Sequence, residues 1–265
     1  MSESDKKDEL AGTEAPFVSH LIELRDRLIR VVVAVAIAFG LLCIWPGIGG
    51  MYDLLAAPMT SHLPAGTKLI ATNVFSPFMV PLKITLMAAL LLMLPYVLYQ
   101  VWAFVAPGLY SHEKRMVLPL VVSSTGLFYV GVAFCYYIVI PALTRFIVAI
   151  TPTSVNAAPD IEQYFGTVLT LFLVFGIAFE VPIAVVVLAR IGVVTIAQLR
   201  QWRGYFIVAA FIVAAIVTPP DIVSQLSLAI PMCVLYEIGI IAAQVFIKHT
   251  KTPEAESAPG DKPAA

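Results

Sequence analysis

Six apolar segments separated by polar turns constrain this chain more than any motif. Thirteen of its sixteen Lys and Arg residues fall in the tails and loops on one side of them. At 60% hydrophobic and 12% charged over 265 residues, the chain carries more apolar side chain than a soluble core of that size buries. The expected fold is therefore all-α and polytopic, with six transmembrane helices. The first runs from about Leu28 to Trp45 and is stopped by Pro46, Gly47, Gly49 and Gly50. The second lies within Val74 to Leu109, longer than the roughly 20 residues a bilayer needs, with Pro77, Pro81 and Pro95 set to bend it. The third spans Met116 to Ile140 and ends at Pro141, and the fourth spans Tyr164 to Ala189. Tyr205 to Val217 is short, reaching about 20 Å at ~1.5 Å per residue. The charge-free part of the sixth, Ile222 to Ile247, is also short because Glu237 interrupts it. Two short neighbouring spans imply a locally thinned bilayer.

The charges orient the bundle. Lys6, Lys7, Arg25, Arg27 and Arg30 precede the first span, and Lys114 and Arg115 join the second to the third. Arg190, Arg200 and Arg203 join the fourth to the fifth, and Lys248, Lys251 and Lys262 follow the sixth. The other face has only Lys68 and Arg145, with Lys83 inside the second span. Positive residues accumulate on the cytoplasmic side, so both termini are expected there. Residues 1–16 and 248–265 read as polar, disordered tails on a membrane domain covering 17–247, and Met1 to Pro16 lacks the apolar core of a secretory signal. A net charge of -1 without a polycationic block gives no reason to expect a nucleic-acid partner. Cys43, Cys135 and Cys233 lie in apolar stretches without metal-ligand spacing, so no metal or other cofactor is expected. No phosphate-cradling glycine loop and no internal repeat are evident.

Few residues remain to carry function. Phe17, Leu21, Leu24 and Leu28 recur at helical spacing, with Glu23, Arg27 and Arg30 on a polar stripe, which predicts an amphipathic helix along the membrane surface leading into the first span. The arginines read as topogenic anchors. Glu23 does nothing for orientation. Glu113 sits in a loop on the same side, after Tyr99, Trp102, Phe104 and Tyr110, and is either a local ion-pair partner of Lys114 or Arg115 or a binding group. Two carboxylates on one rim suit a cationic peptide, since guanidinium groups bind carboxylates through paired, charge-assisted hydrogen bonds and lysine fits less well. Glu180 lies ten residues before Arg190, hence ~15 Å from that boundary and near the middle of a ~30 Å layer. Intramembrane acids are usually functional, the bland alternative being a protonated carboxyl satisfied by Gln225, Ser227 or Thr125. Pro182 would distort the helix just after it. Asp221 reads first as the N-cap of the sixth helix. Lys83 and Glu237 either reach an interface or pair internally.

Six stretches then become recognisable in order: His20-Leu-Ile-Glu-Leu-Arg25, Phe75-Ser-Pro-Phe78, Tyr99-Gln-Val-Trp-Ala-Phe-Val-Ala-Pro107, Tyr110-Ser-His-Glu113, Phe179-Glu-Val-Pro182 and Thr218-Pro-Pro-Asp221. From about Phe17 to Ile247 they resemble TatC, the core receptor subunit of the twin-arginine (Sec-independent) protein translocase. The resemblance implies a six-span, glove-shaped, non-enzymatic protein of the bacterial inner membrane. Such a protein receives signal peptides bearing consecutive arginines and helps export folded cargo at the expense of the proton-motive force. It implies that Glu23 and Glu113 recognise the arginine pair with Arg25 and Phe104 in support. Glu180 would face the interior and engage polar groups of partners or signal, and Gln225 and Asp221 would lie near the external end of the fifth-span region that docks a partner. Docking of a TatB-like single-span subunit is implied around Ala215 and Ile216, followed by a TatA-like one, in a self-associating, lipid-embedded complex. The residues leave one alternative of a different class, a proton-coupled small-solute transporter titrating at Glu180.

Overall fold

The computed structural model describes residues 3–60, 69–105, 117–152, 159–218 and 221–248. Helix α1 (Glu3–Leu42) is continuous through the polar head into the first span. At Trp45 the backbone leaves the helical region (φ -147°, ψ 122°), as crowding by the following Pro46 favours, and α2 (Ile48–Thr60) continues beyond the kink. Helix α3 (Ser76–Val105) runs for 30 residues. Pro77 falls in its first turn, where no N–H is needed, and the helix carries on through Pro81 and Pro95. Helix α4 (Val117–Phe134) passes through a wide π-type turn at Cys135–Val139 into α5 (Ile140–Ile150). The third span was expected to end at Pro141, yet the helical run reaches Ile150, because Pro141 occupies the first turn of α5 and so costs no internal hydrogen bond.

The fourth span is two helices, α6 (Ile161–Ala178) and α7 (Val181–Arg190), separated by a turn at Phe179–Glu180 with Pro182 opening the second half. A short connector, α8 (Ile196–Gln201), starts on a capping box in which Thr195 and Gln198 satisfy each other's backbone N–H. Then come α9 (Arg203–Val217) and α10 (Ile222–Lys248).

Five helical runs are long and apolar enough to cross a membrane, namely Val18–Leu54, Ser76–Val105, Val117–Ile150, Ile161–Arg190 and Ile222–Val245. The shorter apolar helix, α9, has 15 residues and reaches ~22 Å. The sixth span corrects the expectation of a second short one. Helix α10 is 27 residues long, because Glu237 is matched by Arg203 of α9 (Nη2 to Oε2, 2.6 Å) and Pro231 does not end the helix.

Helix α6 is the centre of the bundle. Its Phe165, Leu171 and Phe175 form one buried cluster with Val80 and Ile84 of α3, Cys135 and Val139, Ala214 of α9, and Leu228 and Ala229 of α10. Gly131 lets α4 approach α6 closely: a Cβ there would stand 2.6 Å from the Phe175 carbonyl oxygen. A second cluster joins α7, α8 and α10 through Val185, Ala189, Leu199, Tyr236 and Ile240. Leu28, Ile37, Leu118, Val122, Ile216 and Ile241 point outward, as an apolar surface facing hydrocarbon should.

The rim opposite the basic residues is tied together across the chain. Ile70 N–H donates to the Pro159 carbonyl (3.1 Å) and Ile161 N–H to the Ile70 carbonyl (2.8 Å), a short parallel bridge. Asp160 caps α6 by accepting from the Glu162 and Gln163 N–H groups, and it also accepts from the Thr72 hydroxyl (2.6 Å) and N–H (3.0 Å). These hydrogen bonds, those from Thr72 foremost, hold its carboxyl down at about 2. Glu162 accepts from Ser76 Oγ (2.7 Å) and from Lys83 Nζ (2.9 Å), which answers the internal-pairing reading of Lys83.

Candidate functional site

On the basic rim, the first half of α1 crosses the end of α3. Glu23 and Arg27 are one helical turn apart, and Glu23 Oε1 accepts from Arg27 Nε (2.9 Å) and Nη2 (2.6 Å). Arg27 Nη1 donates to the side-chain oxygen of buried Gln100 on α3 (3.1 Å). One turn back on α1, the His20 imidazole stacks on the Phe104 ring with centroids 4.2 Å apart, and its Nδ1 lies 3.9 Å from Glu23 Oε2. Glu23 and Phe104, singled out separately in the sequence, thus share one cluster, with His20 as the link. Arg25 does not join it: its guanidinium forks onto neighbouring Asp26 (2.8 and 3.0 Å), and both side chains are exposed. Glu113 lies outside the described residues. His20, Arg27 and Gln100 escaped notice as site residues. Their signal is the spacing of His20, Glu23 and Arg27 at i, i+3 and i+7, which puts all three on one face.

Glu180 occupies the break between α6 and α7, where the chain turns on a hydrogen bond from its own N–H to the Ile177 carbonyl (3.0 Å). Both carboxyl oxygens are buried, and neither has a hydrogen-bond partner among the described residues. Ser124 of α4 is within electrostatic reach, and its hydroxyl, which accepts from the Trp102 indole N–H (2.8 Å), keeps its own O–H free to turn toward the carboxyl. Thr125, offered by the sequence as a partner, has an equally unpaired buried hydroxyl. Gln225 is committed elsewhere, its Nε2 donating to the Phe211 carbonyl at 3.5 Å. A bare carboxyl in such a place is costly unless a donor arrives from outside the chain.

At the opposite rim Asp221 is the N-cap of α10, accepting from Ser224 N–H (2.7 Å) and Ser224 Oγ (2.5 Å). Ala215 and Ile216 lie near the end of α9 and are exposed, Ile216 at 78%. They continue a stripe of Tyr205, Val208 and Ile212, all exposed, while Ala210 and Ala214 on the other side of the helix are buried. Helix α9 therefore offers one apolar face that the described residues do not cover. Beside its end is a cleft of about 470 Å³ lined by Gln163, Gly166, Thr167, Thr170, Val217 and Thr218.

A family model described as Sec-independent protein translocase protein (TatC) matches residues 19–231. Similar proteins include the Sec-independent protein translocase protein TatC of Haemophilus influenzae, 48% identical over 87% of this chain and 90% of that protein. The protein of the same description from Escherichia coli (strain K12) is 45% identical over 90% of this chain and 92% of its own length. The longer one from Halothiobacillus neapolitanus is 47% identical over 91% of this chain but only 66% of its own. Among solved structures, a crystal structure of the twin arginine translocase receptor TatC superimposes with a TM-score of 0.74 at 39% identity, covering 85% of this chain and 98% of that one. With the match running from the His20–Phe104 rim through the Glu180 break into α10, the chain belongs to the TatC family of Sec-independent protein translocase components.

Proposed function

We propose that this chain is the signal-receiving core of a twin-arginine translocase in a bacterial inner membrane. It binds signal peptides carrying consecutive arginines and, with TatB-like and TatA-like single-span subunits, exports folded cargo by drawing on the proton-motive force. The observation that carries this is Glu23 on the basic rim: one oxygen of its carboxylate has no hydrogen-bond partner among the described residues, and the His20–Phe104 stack stands beside it. Glu113 is the second acid of the pair. Arg25 shapes the rim potential from outside the cluster. Both termini lie in the cytoplasm in this reading, supported by the thirteen cations on that side, with polar tails at residues 1–16 and 248–265 flanking a membrane domain at 17–247.

The Glu180 carboxyl, without a hydrogen-bond partner among the described residues, receives a polar group from a partner or from the inserted signal, and Gln225 adds a second polar site on α10. The exposed face of α9 around Ala215 and Ile216 takes the TatB-like helix, and Asp221 shapes its end by capping α10. The proton-coupled solute transporter finds no support in the family to which the chain belongs, a family of translocase components and not of enzymes.

The test is a binding titration. The full chain in lipid nanodiscs should bind a labelled twin-arginine peptide at least tenfold more tightly than its Lys-Lys version, and Glu23→Ala combined with Glu113→Ala should abolish the difference. Equal binding of the two peptides by the parent chain would refute recognition by these acids.

A further inference from the structure

Glu23 already holds a guanidinium, and it belongs to the chain itself. Arg27 delivers both Nε and Nη2 to one carboxylate oxygen, Oε1, at 2.9 and 2.6 Å. Among the described residues the other oxygen, Oε2, meets the His20 imidazole alone, at 3.9 Å, too long for a hydrogen bond. Arg27 is also unlike an ordinary i,i+4 surface cation. Its third nitrogen is fixed to Gln100 across the α1–α3 contact, and its side chain is 20% exposed where that of Arg25 is 67% exposed. Arg25 shows the ordinary case on the same helix, a solvated pair with its sequence neighbour and, among the described residues, no tie to another element.

The strongest carboxylate–guanidinium contact is a fork, with two parallel N–H donors meeting the two oxygens. An incoming arginine cannot complete that fork on Glu23 while Oε1 is taken. We infer that Arg27 is an internal competitor, a surrogate for the signal arginine that occupies the acceptor at rest and must be displaced on binding. Gln100 gives the displaced guanidinium somewhere to stay, because its carbonyl oxygen keeps one N–H satisfied when Glu23 is withdrawn. The resting pair therefore lowers the affinity for any arginine ligand by the strength of the internal contact. In exchange, the acid at this rim is never left as a bare charge. This inference rests on the reading of Glu23 as a signal acceptor and adds a residue that tunes it.

The experiment uses the full chain in nanodiscs and the labelled twin-arginine peptide. Arg27→Gln removes the competing cation and keeps a polar side chain at the position. It should tighten peptide binding about fivefold, the factor corresponding to an internal pair of ordinary strength, and Arg27→Lys should fall between it and the parent. A merely structural Arg27 would give the opposite sign, since loosening the α1–α3 contact weakens the site. Binding by Arg27→Gln that is unchanged or weaker, in protein whose thermal midpoint matches the parent, overturns the inference. Glu23→Gln separates the two levels. If it leaves binding intact, the acceptor reading fails. If it abolishes binding while Arg27→Gln does not tighten it, only the competitor fails.

Discussion

The indole N–H of Trp102 donates to Ser124 Oγ at 2.8 Å, tying α3 to α4 and fixing beside Glu180 a hydroxyl whose own O–H remains free to donate. The carboxyl beside it has no hydrogen-bond partner placed on it among the described residues. A buried polar group without partners contributes nothing to folding, so replacing it by an apolar side chain of similar size should be neutral or stabilising. Glu180→Leu is expected to keep or raise the thermal midpoint in detergent while lowering export of a twin-arginine cargo at least tenfold in cells lacking another copy. A loss of more than about 2 kcal/mol in stability would mean that the carboxyl serves the fold.

Arg203 and Glu237 join α9 to α10 at 2.6 Å, next to the stacked Phe206 and Tyr236 rings, whose centroids lie 4.1 Å apart. Both charged side chains are partly exposed, so the pair should behave like a surface bridge with a coupling energy of about 1 kcal/mol or less. A double-mutant cycle with Arg203→Ala and Glu237→Ala, read by chemical denaturation in micelles, measures it. Coupling above about 3 kcal/mol would show that the apolar surroundings desolvate the pair.

Asp160 is held at about 2, below its ordinary value of 3.8. A carboxyl lowered on folding stabilises the native state above its unfolded pKa, and that contribution is lost as pH falls through the folded one. The parent should therefore lose stability between about pH 4 and pH 2, and Asp160→Asn should be less stable at pH 5 with a flatter acid profile. Thermal midpoints taken across that range decide it. Parallel profiles would assign the acid sensitivity to other groups.

Gly239 sits where α10 crosses α7, and a Cβ there would stand 2.9 Å from Pro182 Cα and 3.1 Å from Val185 Cβ. Because the first neighbour is the backbone of a proline, it cannot swing aside. Gly239→Val should cost about 1–3 kcal/mol, as overpacking of a tight contact does. Gly40, with open space around its position, provides the control, and Gly40→Ala should leave the midpoint unchanged or raise it.

Much of this architecture is legible in the sequence because apolar runs of twenty residues have few alternatives. The spans, the short α9, the break near Pro182 and the Asp221 cap all follow from composition and local chemistry. What escaped depends on partners distant in sequence. Nothing local tells that Glu237 will meet Arg203 thirty-four residues earlier, and so the sixth span read as interrupted. Pro141 looks like a stop until the wide turn before it places the ring in the first turn of a new helix. At the rim, spacing puts His20, Glu23 and Arg27 on one face, but only the crossing of α3 shows that Phe104 and Gln100 lock that face.

The bridge between Ile70 and Asp160 has a consequence for how the chain is made. Its two halves are separated by the whole of α3, α4 and α5, so it closes only after the intervening hydrophobic hairpin has been threaded and the start of the next span has emerged on the same side. Closure therefore reports on correct insertion of the first half of the molecule, and a ribosome-bound intermediate truncated before Asp160 lacks the clasp whatever its helices have done.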